Sequence, residues 1–197
     1  MKKYILLIFA ITVILSGCGS SKKQLEKGNY DAAIVTAVRE LRKDADNEKQ
    51  AAILERSYNI VNEQDNERIR FLKMEGRPQN WDEIYQVYKR MNDRQSMVRT
   101  VLPINAGGKS INFPYVDYMA EMIAAKKKSA DYYYAHGNEL MKAGLKDSYR
   151  QAYYEFIRAK QYVGDYEGID QKLQESRYLG MSRVFVSVNN SSVIKFP

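Results

Sequence analysis

Cysteine is almost absent from this chain, and so is histidine. Of 197 residues only Cys18 is a cysteine and only His136 a histidine. One cysteine rules out an intrachain disulfide. One of each leaves no multi-His or multi-Cys zinc set, and a Cys–His nucleophile would have to use Cys18 itself. A Ser–His–Asp arrangement would depend on His136, which sits beside Gly137 inside a helical pattern where a packing or surface histidine is the simpler reading. Proline is scarce at four, tryptophan occurs once, and no long Pro/Gly/Ser stretch divides the chain into linked domains. No apolar run reaches the roughly 20 residues a membrane-spanning helix needs.

Charge, aromatics and an N-terminal apolar run are what the chain does have. Charged residues are 28% and hydrophobic residues 45%, the balance of a folded soluble body. Tyrosine is abundant at 16 copies against six phenylalanines. The net charge of +7 is a mild excess that serves solubility or an anionic neighbour such as a lipid headgroup. Met1-Lys2-Lys3 is a short basic start, and Tyr4 to Leu15 is an apolar run broken only by Thr12. That order is the layout of a secretion signal. Secretion would separate the chain from nucleic acid, so no nucleic-acid partner is expected.

The run ends in Leu15-Ser16-Gly17-Cys18. These four residues resemble the lipobox of bacterial lipoproteins, in which Leu15, Ser16 and Gly17 are read by the signal peptidase and Cys18 becomes the lipid-modified N-terminus. The resemblance implies a signal peptide at 1–17, a covalent lipid on Cys18 as the sole added group, and a tether of 18–22. Two or three acyl chains at about 0.8 kcal/mol per buried CH₂ would hold it firmly. Losing Lys2 and Lys3 with the signal lowers the net charge to about +5. By analogy with lipoprotein sorting, Gly19 favours the outer membrane over the inner, and basic Lys22-Lys23 favours its periplasmic face.

Helical periodicity governs the body. Tyr30, Ala33, Ile34, Ala37, Val38 and Leu41 recur on one helix face. Asn47 predicts an N-cap, with Ala51, Leu54, Tyr58 and Val61 inward. A separate short helix is expected from Asp65 to Met74, stopped by Gly76 and Pro78. Asn80 predicts the N-cap of a helix carrying Trp81, Ile84, Tyr85, Tyr88 and Met91. Pro103 to Pro114 reads as a loop. A long helix is expected from Tyr115 to Ala143, with Tyr118, Met119, Met122, Ile123, Ala130, Tyr133 and Tyr134 on its stripe. One more carries Tyr149, Ala152, Tyr153, Phe156 and Ala159, and a last one runs from Asp165 to Gly180. Beyond it Val184, Val186 and Val188 alternate like a strand.

The stretch Gly137, Leu140, Gly144, Tyr149, Ala152, Phe156 and Ala159 resembles a tetratricopeptide (TPR) repeat, with three extra residues in the turn between Gly144 and Tyr149. Gly28, Tyr30, Ala33 and Ala37 resemble a weaker one, with Glu40 where alanine is usual; Trp81, Tyr88 and Met91 resemble a third, with Ile84 in place of alanine. The resemblance implies small residues at a helix crossing and aromatics wedged beside them. The expected fold is all-α: an irregular TPR-like solenoid of helical hairpins over 23–180, with a short C-terminal β-hairpin or strand over 181–197. The layout is similar to envelope lipoproteins of Bacteroidota.

Three motifs are discounted. Gly107-Gly108-Lys109-Ser110 ends like a phosphate-binding loop, but Pro103 stands where the first glycine is required and no apolar strand precedes it. Ser20 to Lys23 and Ser192 to Lys195 match Ser-x-x-Lys spacing without companion motifs. Lys126-Lys127-Lys128 reads as a solvated helix face. No enzymatic activity and no metal site are expected. The expected role is a non-enzymatic protein–protein interaction adaptor, anchored in the cell envelope by lipid and serving outer-membrane assembly or secretion through another envelope protein. Candidate contacts are Tyr132, Tyr133 and Tyr134, whose three directions leave at least one facing outward or into a groove, and Asn105, Lys109 and Asn112 on the loop. The alternatives are a glycan- or peptidoglycan-binding module and the N-terminal part of a truncated envelope enzyme.

Overall fold

A computed structural model describes residues 20–187 and residue 189. Leu15, Ser16, Gly17 and Cys18, with the rest of the expected signal, lie outside the described residues. Among the described residues the chain forms seven helices and one two-stranded antiparallel sheet. In chain order these are α1 (Ser21–Glu26), α2 (Tyr30–Leu41), α3 (Glu48–Glu75), α4 (Asn80–Arg99), β1 (Ile104–Ala106), β2 (Lys109–Ile111), α5 (Met119–Lys142), α6 (Lys146–Tyr162) and α7 (Ile169–Gly180). The fold is all-α with one short β-hairpin. Two compact units divide at Lys126/Lys127, within α5.

In the first unit, α2 and α3 form an antiparallel hairpin, and α1 packs on both. The face expected from spacing is the buried face: Ala33, Ile34, Ala37, Val38 and Leu41 meet Ala51, Leu54, Tyr58 and Val61. Asn47 caps α3 as expected, its side chain accepting from Gln50 N at 3.2 Å. Ile104 and Phe113 close the same core, with Phe113 edge-on to Tyr58 at 5.1 Å. A second cluster joins Ile69 and Leu72 of α3 to Ile84, Val87, Tyr88 and Met91 of α4, with Tyr118 and Ala125.

Several boundaries differ from expectation, among them the start of the last helix, at Ile169 rather than Asp165. The two helices expected across 47–74 are one continuous 28-residue α3 ending at Gly76, which takes the left-handed conformation (φ 65°). Asn80 does not N-cap α4; its side-chain amide donates back to the Leu72 carbonyl at 3.0 Å and to Glu75 at 2.9 Å, closing the end of α3. The folded body begins at Ser21, which α1 buries, two residues before the expected 23. The helix expected from Tyr115 starts only at Met119; 112–118 forms neither helix nor strand. Gln95 clamps that segment: its amide donates to the Val116 carbonyl at 2.9 Å and accepts from Val116 N at 2.8 Å.

The hairpin stands where a loop was expected. Its register pairs Ile104 with Ile111, Asn105 with Ser110 and Ala106 with Lys109. Gly107 and Gly108 form the two-residue turn, at φ 58° and 74°. A right-twisted two-residue hairpin needs positive φ at both central positions, which is where glycine carries no steric penalty. The glycines of the discounted phosphate loop are therefore a hairpin turn. No strand forms in the described tail 181–187, whose side chains are exposed; Val188 and 190–197, the rest of the expected β element, lie outside the described residues.

The second unit packs α6 on α7 and fills the space beside α5 with rings. Phe156 is fully buried against Gly137, where an added Cβ would sit 2.6 Å from the ring. Ala152, Ala159 and Ile169 complete the core. Gly180, expected just past the helix, is instead its last residue. Its carbonyl accepts from Arg150 Nε at 2.9 Å, and a Cβ there would lie 3.1 Å from Arg150 Cγ.

Candidate interaction surfaces

Among the described residues the first unit buries a charged pair, Arg94 and Asp65. Arg94 of α4 is 3% exposed. Nε donates to Asp31 of α2 at 2.8 Å, Nη1 to Asn62 at 2.5 Å and Nη2 to Asp65 at 2.9 Å, both on α3. Arg90 adds a longer contact to Asp65 at 3.6 Å. One guanidinium thus ties three helices in register, using its planar fork as a lysine could not. Burial works against its charge, but the bonds and charges of Asp31 and Asp65 outweigh that and raise its pKa above the ordinary arginine value.

Above this knot, α2 and α4 leave a cleft of about 210 Å³ lined by Asp31, Ile34, Val35, Arg90, Asp93, Arg94 and Met97. Its walls are apolar and its rim is charged. Val35 is 48% exposed there, although it lies on a helix whose neighbouring apolar residues are buried. The volume is below the 300–1,000 Å³ typical of small-molecule sites.

The expected contact residues fall in different places. Tyr133 is buried, stacked on Tyr162 with centroids 6.0 Å apart, so it is not available as a contact residue. Tyr134 is half-buried between Phe156 and Tyr166, at 5.7 and 4.8 Å. Tyr132 is half-buried like Tyr134, with its ring parallel to that of His136 at 5.8 Å. The tyrosine triplet is chiefly the wall of an aromatic core. Tyr166 belongs to it: its hydroxyl donates to Asp131 at 2.7 Å, and burial together with that carboxylate pushes its pKa up to about 12. Asn105 and Lys109 are exposed but leave the hairpin on opposite faces, because alternate residues of a strand do. Asn112 is exposed beyond the hairpin. The lysine run is spread among partners: Lys126 lies 5.4 Å from the Tyr85 ring centre and Lys127 is 3.4 Å from Asp131.

His136 Nδ1 is 3.5 Å from Glu155 Oε2, a buried oxygen without a hydrogen bond. Among the described residues no cluster of His, Cys, Asp and Glu has the makings of a metal site, and no helix is long and apolar enough to cross a membrane. A second, smaller cleft of about 170 Å³ lies between α6 and α7, lined by Arg150, Tyr153, Tyr154, Ser176, Arg177, Gly180 and Met181. The α2–α4 cleft was not foreseen from sequence. Its signal was Val35, an apolar residue one step outside the buried face of its helix. No protein-family model, curated protein or solved structure matches the chain.

Proposed function

We propose that this chain is an envelope lipoprotein that works without catalysis, as an adaptor holding a segment of another protein. Cys18 carries the lipid, after cleavage behind Leu15-Ser16-Gly17, and the anchored body faces the periplasm from the outer membrane, in the setting of envelope assembly or secretion. The observation that carries the adaptor reading is the α2–α4 cleft: an apolar floor at Ile34, Val35 and Met97, with a charged rim held in place by Arg94. In arrays of helical hairpins, surfaces of this kind receive extended or helical partner segments. The partner's chemistry follows from the lining: one apolar side chain for the floor, flanked by polar groups that pair with Asp93 and Arg90.

The anchor is tested by metabolic labelling with a palmitate analogue and by cell fractionation. Label should appear on the protein and vanish in Cys18→Ala; label that persists in that variant contradicts the lipobox assignment. The adaptor is tested by capture from crosslinked membranes against a control carrying only the anchor. One envelope protein in near-stoichiometric yield supports it, and recovery no better than the control contradicts it. A second reading, a glycan-binding module, is favoured by the α6–α7 cleft, where Tyr154 exposes its ring beside Arg150 and Arg177. Sedimentation with purified cell-wall sacculi, lost in Tyr154→Ala, would establish that reading.

A further inference from the structure

We infer that one end of the first unit, made by the start of α1, the first turn of α3 and the tip of the β-hairpin, rests on the headgroup layer of an anionic membrane. The inference rests on acylation of Cys18 and adds to it a defined footprint. Cys18 and Ser20 are two residues apart, so their Cα atoms lie within about 7 Å of each other. There is no slack to lift the body away: Ser20 already caps α1, accepting from Lys23 N at 3.3 Å. Ser21 is buried and donates to Gln50 of α3 at 2.7 Å. A lipid on Cys18 therefore holds the start of α1, and with it the first turn of α3, against the bilayer.

The hairpin meets that same turn of α3. A Cβ on Gly107 would lie 3.5 Å from the Glu48 carboxylate. Glu48 and Gln50 differ by about 3 Å along the helix axis but by about 200° around it. So α1 and the hairpin tip flank α3 from opposite sides at one level. If α3 stands on its N-terminal end, both touch the membrane; if it lies flat, only one does. The charges favour standing. Lys22, Lys23, Lys49 and Lys109 are all exposed at this end. The α2–α3 turn at 42–47 contributes two cations and two acids, and Glu48 one acid, which leaves an excess of positive charge. Lysines near an anionic leaflet are attracted within a Debye length of it. The other end of α3, at Glu75, then stands about 42 Å from Glu48 along the axis of this 28-residue helix.

Because an acylated Cys18 has no free thiol, one introduced cysteine can be labelled alone. The full-length acylated protein, its Cys18 lipid verified by mass spectrometry, would be placed in phosphatidylglycerol-containing vesicles with a headgroup-attached quencher. A dye is attached in turn at Lys23→Cys, Lys109→Cys and Arg77→Cys, all exposed positions, and helicity is checked for each. The expected result is quenching severalfold stronger at 23 and 109 than at 77. Position 109 no more quenched than 77, or all three quenched alike, overturns the footprint while leaving the anchor intact. Absence of an acyl mass on Cys18 overturns the anchor and the footprint with it.

Discussion

Both units are helical, and they are filled in different proportions. The first has a mainly aliphatic core between α2 and α3, Ile34, Val38, Leu41, Leu54 and Val98, edged by Tyr58 and Phe113 and followed by a cluster with Tyr88 and Tyr118, and a buried arginine knots α2, α3 and α4. The second has glycine and alanine against rings: Gly137, Ala152 and Ala159 around Phe156, Tyr133 and Tyr134. An aliphatic core leaves the helix register weakly specified, since branched side chains of similar volume exchange positions at low cost. The Arg94 knot supplies the register there. In the second unit the shape of the rings supplies it. The cleft with the exposed valine belongs to the unit whose helices are pinned by charge.

The largest expected effect comes from breaking that knot. Arg94→Ala strands Asp65 in the interior, and removing one partner of a buried pair costs about 3–5 kcal/mol. Against a typical domain stability of about 5–15 kcal/mol, protection of amides in α2 and α4 should fall steeply in hydrogen exchange, while α6 and α7 keep theirs. Replacing the buried members together, Arg94→Met with Asn62→Leu and Asp65→Leu, should recover most of the stability. If Arg94→Ala leaves exchange unchanged, the knot is not what holds the register.

Gly137→Ala should come next. The new Cβ would press into the Phe156 ring, and overpacking a filled core costs about 1–3 kcal/mol. Thermal melting of the second unit should drop, and Gly137→Ala combined with Phe156→Leu should recover part of the loss. A melting temperature equal to that of the parent would show that the ring moves aside freely.

A smaller effect should appear at high pH. Tyr166 ionises near pH 12 in the folded chain but near 10 when unfolded. Its neutral form is therefore the one the fold favours. The second unit should hold constant stability below about pH 10 with respect to this group and lose it as pH rises from about 10 towards 12, because the unfolded chain sheds its proton first. Burial raises Tyr118 as well, so absorbance titration of the tyrosines should show a late component that shrinks in Tyr166→Phe. A late component of unchanged size in that variant would assign it to other residues. The smallest effect belongs to Ile123→Ser on exposed α5 surface, which should change stability by no more than about 0.5 kcal/mol.

What could be read from sequence follows the same division. The aliphatic face of α2 and the first half of α3 were visible because apolar side chains at helical spacing and inward orientation coincide. The continuity of α3 was hidden by its polar middle. Asp65 read as the start of a new helix, yet it and Asn62 receive Arg94, so this part of the helix is polar because of a buried ion cluster. The stripe expected on α5 holds in part: Tyr118, Ala130 and Tyr133 are buried, but Met119 and Ile123 are exposed, and Ala125 and Ser129 are buried without having been expected; small residues that permit close approach carry little hydrophobic signal. The hairpin had a sequence signature, Gly-Gly between two short runs ending in isoleucine and alanine, but its flanks are too short to show alternation. The tyrosine triplet drew attention as surface because three adjacent helix positions cannot all face one core. Three separate ring contacts absorb them instead, with Tyr162, with Phe156 and Tyr166, and with His136.

The most direct test of the adaptor account is a photo-crosslinking amino acid placed at Val35 in the acylated protein, with the same residue at exposed Arg70 of α3 as control. Irradiation in intact cells followed by mass analysis should give one discrete protein adduct at position 35 and none at position 70. No adduct at 35, or the same adducts at both positions, would contradict the α2–α4 cleft as the place where a partner is held.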